Sequence, residues 1–417
     1  MVQFLPAQHL NYWNELPSPT QHTLSTVHFT DSVNGWISGQ NGVFMRTTNG
    51  GTSWSQILPG STGEVPDFAI LSPTNIRAIE FRYPITDTSW FGTLIHHTTN
   101  GGTTWMTIKY DSSLFRCITF VDSLTGYLGG SYGSIAKTTD GGLTWREVNI
   151  GSFANMERWP IYKVRFHSPQ FGMAVAGQLD VFGIVWRTTD GGEHWSASKI
   201  SADPLFDVIF IDSLHILTAM GDLESTGAGF LRSLDGGETW KFENTTIWGE
   251  PNTFAYRTPS DCWVPMGTAG ICLRSSNNGL NWQTITLPRQ VPVYDISFPS
   301  ERTGFMIGHR GALFKFNSSL LSVDRNSEAL VPSRSIRSFP NPFNGSTTFT
   351  YKLDRSALVR AELYDAVGRR VAVLHDGMQS SGEHSVRWES DGSPSGMYIL
   401  RVTDGHTVQI GKALLQR

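Results

Sequence analysis

Three carboxylates in loops of this 417-residue sequence have the side chains that glycosidic hydrolysis requires: Asp180, Asp222 and Glu224. Two carboxyl groups at a suitable separation can act there as general acid and as nucleophile or base. Spacing along the chain does not fix their separation in space, so they are weak candidates for a catalytic site. The sequence contains no Ser-His-Asp nucleophile elbow, no P-loop and no zinc motif, and it predicts no cofactor.

A second group of charged and aromatic residues is better suited to binding than to catalysis. Arginine binds carboxylates, and aromatic rings stack on sugars or on the side chains of a partner. The alternatives are ion pairing between neighbouring loops and packing of each tryptophan against its own sheet. The candidates are Arg77, Arg116, Glu157, Arg158, Trp159, Tyr162, Trp248, Glu250 and Tyr294, and the loop residues Glu64 and Asp67 extend this group.

The elements that position these residues are defined by a repeat. Six boxes of eight residues begin with Ser or Thr, carry Asp or Asn at the third position and end in Trp. The box tryptophans are Trp54, Trp105, Trp145, Trp195, Trp240 and Trp282, which are 51, 40, 50, 45 and 42 residues apart. This spacing is typical of propeller blades, each a four-stranded sheet.

The third residue of each box favours a structural interpretation. Its side-chain oxygen can accept hydrogen bonds from the turn, the glycines permit positive φ, and the Trp fills the gap between sheets. Calcium binding is the alternative, but three of the six positions are uncharged Asn. The sequence therefore predicts no metal site at the third positions, which are Asn49, Asn100, Asp140, Asp190, Asp235 and Asn277.

Each repeat contains a first strand that ends in an aromatic residue and a third strand that ends in a basic one. The predicted first strands end at Phe29, Phe81, Phe120, Phe166, Phe210, Tyr256 and Phe298. The residues four positions earlier include Arg77, Arg116, Tyr162 and Tyr294, which predicts an anion or carboxylate site on the face opposite the boxes. The seventh repeat lacks a box, and we expect residues 11–16 around Trp13 to complete its blade.

The boxes resemble the Asp-box, or BNR, repeats of sialidases, sortilin-type receptors, xyloglucan hydrolases and photosystem II assembly factors. The resemblance covers residues 1–322 and implies a seven-bladed β-propeller. It implies no single function, because the family includes enzymes, receptors and assembly factors. The early Arg-Ile-Pro signature of sialidases is absent, since the first basic residue other than histidine is Arg46.

The chain changes character after the repeats. Residues 323–335 read as a linker, and the alternating strands of 336–417 predict a small Ig-like β-sandwich. This segment resembles the C-terminal sorting domain of type IX (Por) secretion substrates. The segments that carry the resemblance are Pro340-Asn341-Pro342-Phe343-Asn344, Gly368-Arg369-Arg370-Val371, Val386 with Trp388, and Ser395-Gly396-Met397-Tyr398. The resemblance implies export by the type IX machinery to the medium or the outer-membrane surface, although the first 17 residues show no signal peptide.

Composition excludes two classes of protein. A formal net charge of -4 disfavours a basic nucleic-acid binder, and no apolar run is long enough for a transmembrane segment. Cys262 and Cys272 leave a disulfide and two reduced thiols as alternatives. The sequence therefore predicts an all-β, secreted or surface-exposed module that binds a glycan or a protein. The alternative is a secreted glycoside hydrolase of the Asp-box type, and an assembly factor is disfavoured because the tail directs the chain away from the inner membrane.

Overall fold

The computed structural model describes residues 12–82, 91–111, 113–150, 159–222, 227–319, 336–353, 355–365, 369–404 and 408–416. The chain divides into two compact units, Met1–Leu320 and Leu321–Arg417. Among the described residues, no helix is long and apolar enough to cross a membrane.

The first unit contains seven four-stranded antiparallel sheets, the blades of a propeller. Blade one is β2 (Leu24–Phe29), β3 (Gly35–Gly39), β4 (Phe44–Thr47) and β5 (Ser55–Gln56). Blade two is β6 (Glu64–Ile70), β7 (Ile76–Arg82), β8 (Gly92–Thr98) and β9 (Met106–Asp111). Blade three is β10 (Phe115–Phe120), β11 (Gly126–Gly130), β12 (Ile135–Thr138) and β13 (Arg146–Val148). Blade four is β14 (Ile161–Phe166), β15 (Gly172–Gln178), β16 (Phe182–Thr188) and β17 (Ser196–Ser201).

The remaining blades follow the same order. Blade five is β18 (Leu205–Phe210), β19 (Ile216–Asp222), β20 (Gly227–Ser233) and β21 (Lys241–Ile247). Blade six is β22 (Ala255–Thr258), β23 (Asp261–Pro265), β24 (Ile271–Ser275) and β25 (Gln283–Thr286). Blade seven is β26 (Val293–Ser300), β27 (Thr303–Gly308), β28 (Leu313–Phe316) and β1 (Trp13–Glu15). First strands of successive blades pack against one another, so they surround the central channel.

A pairing of Phe with Gly explains why so many first strands end in an aromatic residue. The ring of Phe29 lies over Gly35, where an added Cβ would come within 2.4 Å of it. Phe120 lies over Gly126 in the same way, and Phe166 over Gly172. Glycine at the start of the second strand therefore makes room for the aromatic ring at the end of the first.

Blade two departs from this pattern, and the predicted boundary of its first strand is wrong. Phe81 lies in β7, the second strand of the blade, and the first strand is β6, in the segment predicted as a loop. Ile70 and Ile76 occupy the positions of the Phe and Gly of other blades. Without the aromatic residue, the sequence gives no marker for the end of this strand.

Blade seven combines both ends of the first unit. The β1 strand pairs antiparallel with β28, with Trp13 opposite Phe316, in the position that the sequence predicts for the segment around Trp13. The Trp13 side chain is fully buried, and its ring lies 5.6 Å from that of Trp263 in blade six. The outer edge of β28 is thereby covered.

The second unit consists of two sheets with a shared hydrophobic core. One contains β29 (Arg337–Phe339), β30 (Ser346–Leu353) and β33 (Gly382–Glu389). The other contains β31 (Ala357–Asp365), β32 (Arg370–Gln379), β34 (Gly396–Thr403) and β35 (Val408–Leu415). Phe343 and Trp388 pack in this core, and Asn341 accepts a hydrogen bond of 2.8 Å from the backbone N–H of Leu414.

The three cysteines are buried free thiols. Strand pairing places Cys262 opposite Ser275 and Cys272 opposite Pro265. The two cysteines are therefore not cross-strand partners, and the disulfide alternative is not formed.

Candidate functional site

The boxes use their polar side chains within their own turns. In blade three, one Asp140 oxygen accepts backbone N–H groups from Leu143 at 3.0 Å and from Thr144 at 2.9 Å. Hydrogen bonds, of which that from the Thr144 hydroxyl is the largest cause, lower the pKa of Asp140 to about 2. In blade one, Asn49 accepts the N–H of Ser53 in the same way. The described residues include no group of three His, Cys, Asp or Glu that could hold a metal ion.

On the face that carries the boxes, basic residues connect several blades to the next. Lys137 donates to the carbonyl oxygen of Gly191, a box glycine of the next blade, at 2.7 Å. Arg187 donates to Gly236 at 2.9 Å, and Lys315 donates to Gly50 across the closed ring at 3.1 Å. We call these contacts the inter-blade latches.

Arg77 belongs to a latch, and its predicted position in a binding site on the opposite face is wrong. It lies on β7 opposite His97, is buried, and donates to the carbonyl oxygen of Gly141 at 2.6 Å. His97 holds the third-strand position that Lys or Arg holds elsewhere, and neither of its ring nitrogens has a hydrogen-bond partner. Arg77 thus makes the latch of blade two, because the shorter imidazole does not.

A layer of equivalent residues surrounds the central channel, one from each first strand except in blade six, where the residue lies just before β22. The layer consists of Thr26, Asp67, Cys117, Lys163, Asp207, Thr253 and Asp295. Three of its carboxylates accept backbone N–H groups from the next blade: Asp67 from Ile118 at 3.1 Å, Asp207 from Phe254 at 2.8 Å and Asp295 from Val27 at 2.8 Å. These bonds join neighbouring inner strands.

The channel also contains two cations that pair with these carboxylates. Lys163 lies 3.5 Å from Asp67, and Arg165 donates to both oxygens of Asp207 at 2.8 and 2.6 Å. Burial alone would lower the pKa of Lys163. The nearby carboxylates, of which Asp67 has the largest effect, raise this pKa above its usual value. Burial raises the pKa of Asp295 to about 6. Sequence analysis missed Lys163, Arg165, Asp207 and Asp295. All of these except Arg165 stand three positions before a strand-ending aromatic residue, which was a usable signal.

Five polar residues from five parts of the ring lie at the starts of first strands or in the connection before blade six, on the side of the ring opposite the boxes. The positive charge of Arg116 acts on Glu64 and on Tyr162, and the negative charge of Glu250 acts on Tyr162 and on Tyr294. Burial raises the pKa of Glu64 and of Glu250. We call Glu64, Arg116, Tyr162, Glu250 and Tyr294 the channel mouth. It combines charges of both signs with half-buried phenol groups, which suits a polar ligand with aromatic or aliphatic parts.

The two remaining loop tryptophans differ in exposure. Trp159 is half-buried against the core of its own blade, and its ring lies 6.1 Å from that of Phe182. Trp248 is 56% exposed, two residues before Glu250 of the channel mouth. Trp248 is thus the more exposed of the two.

The candidate catalytic carboxylates are not assembled into a described pair. Asp180 is exposed in a turn, where its φ is 57° and its N–H donates to Asp203 at 3.1 Å. Asp222 ends β19. Glu224, like the binding candidates Glu157 and Arg158, lies outside the described residues.

Comparison with known families finds one match within the first unit and another within the second. The family described as photosynthesis system II assembly factor YCF48 matches residues 5–115. The secretion system C-terminal sorting domain matches residues 337–416.

Individual proteins agree with this division. The photosystem II assembly protein Ycf48 of Synechococcus sp. (strain JA-2-3B'a(2-13)) is 24% identical over 339 residues, which cover 76% of this chain and 93% of that protein. The structure of YCF48 bound to D1 peptide is similar with a TM-score of 0.59 and 22% identity, over 75% of this chain and 99% of that one.

A GH74 enzyme from Niastella koreensis has a TM-score of 0.55 and 13% identity, over 96% of this chain and 67% of that one. Similarity at this level concerns the fold. The chain therefore joins a BNR-type β-propeller similar to Ycf48 to a secretion-system C-terminal sorting domain.

Proposed function

We propose that the protein is an exported binding module that holds a peptide segment of a partner protein at the channel mouth. The observation that carries this proposal is that Glu64, Arg116, Tyr162, Glu250 and Tyr294 lie on one side of the ring, near enough for their charges to act on one another. Arg116 would pair with a carboxylate of the peptide, and Glu64 and Glu250 with a cationic group. The phenols and the exposed Trp248 would pack against its side chains.

The comparisons favour a peptide over a glycan as the ligand. A solved propeller with this fold is described as bound to a peptide, and the similar Ycf48 proteins are described as assembly proteins. The sorting domain supports the exported location. In this proposal, residues 336–417 direct the chain through the type IX machinery to the medium or the outer-membrane surface.

The proposal is tested by selecting peptides from a random displayed library on the immobilised full-length protein. Affinities of synthetic copies of the selected peptides are then measured for the wild type and for variants. We expect Arg116→Ala and Tyr294→Ala each to weaken binding by about tenfold or more, as loss of charged or aromatic contacts does. The matched control is Leu234→Ala, an exposed apolar residue of a box on the opposite face. Selected peptides that bind Arg116→Ala and Tyr294→Ala as tightly as the wild type would contradict the proposal.

A secreted glycoside hydrolase is the weaker proposal. Its support is the fold shared with GH74 enzymes. It requires two carboxylates about 5 to 10 Å apart across a sugar ring. It predicts release of reducing ends from polysaccharides that is lost in Asp180→Asn, Asp222→Asn or Glu224→Gln, whereas the peptide-binding proposal predicts no turnover in the wild type.

A further inference from the structure

Blade two carries a buried polar relay that has no counterpart among the described residues of the other blades. His96 on β8 lies 2.9 Å from a carboxylate oxygen of Glu80 on β7, and the two side chains are 7% and 2% exposed. The other imidazole nitrogen lies 3.0 Å from the hydroxyl of Thr107 on β9. Glu80 also accepts the backbone N–H of Gly63 at 2.9 Å. Since the carboxylate only accepts, Nε2–H of His96 donates to it.

The repeat shows how unusual these residues are. In strand register, the residues equivalent to His96 are Met45, Ala136, Trp186, Leu231, Leu273 and Phe314. The residues equivalent to Glu80 are Gly39, Gly130, Ala176, Met220, Met266 and Gly308. All twelve are apolar or glycine. Replacing a buried polar pair by well-packed apolar residues is often neutral or stabilising, so the fold itself does not require Glu80 and His96 at these positions.

The relay lines a cleft of about 440 Å³ between blades one and two. The cleft is bordered on one side by residues 58–61, which follow β5, and β5 has only two residues. Its volume is in the range of sites for small molecules, about 300 to 1,000 Å³. Arg82, with a side chain 46% exposed, lies at its rim.

The tryptophan of this box also departs from the repeat. The indole N–H groups of Trp145, Trp195 and Trp240 donate to glycine carbonyls of their own boxes. The N–H of Trp105 instead donates to the carbonyl oxygen of Ile57 in blade one at 2.6 Å. The half-buried ring of Trp105 therefore bridges the two blades and forms part of the cleft wall.

We infer that this cleft binds a single pyranose unit of a glycan, at a site separate from the channel mouth. The apolar face of a sugar ring packs on an indole, and its hydroxyl groups need donors and acceptors beside that platform. Trp105 supplies the platform. Thr107, held by His96, and the guanidinium of Arg82 supply the polar groups. Leu58 and Leu94 complete the wall.

The test uses the full-length protein and four probes: the methyl glycosides of β-glucose, β-galactose, α-mannose and β-xylose. Saturation-transfer NMR detects binding, and a titration gives the affinity. We expect at least one glycoside to bind saturably. We expect Thr107→Val and the double substitution Glu80→Gly with His96→Met to weaken its binding by about tenfold or more. The double substitution installs the residues of blade one, and Thr107→Val decides the outcome if the double variant does not fold.

Two controls separate this inference from the proposed function. Trp145→Ala changes the equivalent box tryptophan of blade three and should leave glycoside binding unchanged, whereas Trp105→Ala should abolish it. Arg116→Ala should weaken the peptide complex alone. Absence of saturable transfer from all four glycosides, or equal affinities in the wild type and Thr107→Val, would overturn the inference.

Discussion

At the scale of single residues, Asp295 gives the clearest prediction of pH dependence. Its pKa is raised by burial to about 6, so the native state holds its proton more tightly than the unfolded chain. Its contribution to the free energy of unfolding is therefore fully present below about pH 4 and is lost as pH rises through 6. Asp295→Asn, which is neutral at every pH, should be more stable than the wild type at pH 8 and equal to it at pH 4.

Urea unfolding at the two pH values measures this difference. Glu301→Gln, an exposed carboxylate in the turn after β26, controls for the loss of one negative charge. If Asp295→Asn were less stable than the wild type at pH 8, the prediction would be wrong. The attraction of Lys163 would then outweigh burial and the repulsion of Asp67, and the channel would favour the charged form of Asp295.

The relay in blade two gives a prediction about stability. His96→Ala leaves the buried Glu80 carboxylate without its partner, which costs about 3 to 5 kcal/mol in other proteins. Glu80→Gly combined with His96→Met removes both polar side chains, leaves no buried carboxylate unpaired and should cost less than His96→Ala alone. A double-mutant cycle by chemical denaturation measures the coupling between the two positions. Additive losses would mean that the pair is not coupled.

Much of the residue-level site was predictable, and the exceptions have a physical cause. Arg116, Tyr162 and Tyr294 were found from their distance to the aromatic that ends each first strand. Arg77 was assigned to the wrong face because the same count began from Phe81. That residue lies in the second strand of blade two, not at the end of the first. Glu80 and His96 carried a signal in the repeat itself, since each stands where every other blade has an apolar residue or glycine.

At the scale of elements, the inter-blade latches determine how strongly one sheet holds the next. Lys137 donates to Gly191 in the next box and pairs with Glu193 at 2.6 Å, and its side chain is 9% exposed. Lys137→Met should lower the free energy of unfolding by about 1 to 3 kcal/mol, because the hydrogen bond to a charged donor is lost. Arg146→Met is the matched control. Arg146 pairs with the same Glu193, but from a side chain that is 52% exposed, so its loss should cost less than about 1 kcal/mol.

Elements were predicted well wherever turn chemistry marked their ends. In the six blades that have a box, the box marks the end of the third strand and the start of the fourth. Its glycines adopt the positive φ that the turn requires, as at Gly141 with φ 76°. The β6 strand had no such marker, because Ile70 replaces the aromatic residue and no glycine follows at position 76. Its Asp67 points into the channel, and period-two alternation over Val65, Asp67 and Ala69 was too weak to separate a strand from a loop.

At the scale of the whole molecule, closure of the ring by β1 should control the stability of the first unit. Removing residues 1–20 deletes the strand opposite Phe316 and the buried indole of Trp13. The exposed edge of β28 and the uncovered ring of Trp263 should lower the midpoint of thermal unfolding and promote association. Truncation after residue 320 is the control, since it removes the second unit and leaves all seven blades. An unchanged midpoint after the N-terminal deletion would show that β1 does not hold the ring closed.

The same pairing sets the order in which the chain can fold. Trp13 and Phe316 stand at opposite ends of the first unit, so β1 has no partner until nearly all seven blades have been synthesised. Contacts this far apart form late, because the intervening chain must first be brought together. Only the linker then separates the completed ring from the sorting domain at residues 337–416. A chain that stops before β28 would therefore lack both the β1–β28 pairing and the sorting domain. The defect in folding and the failure of sorting would then arise together.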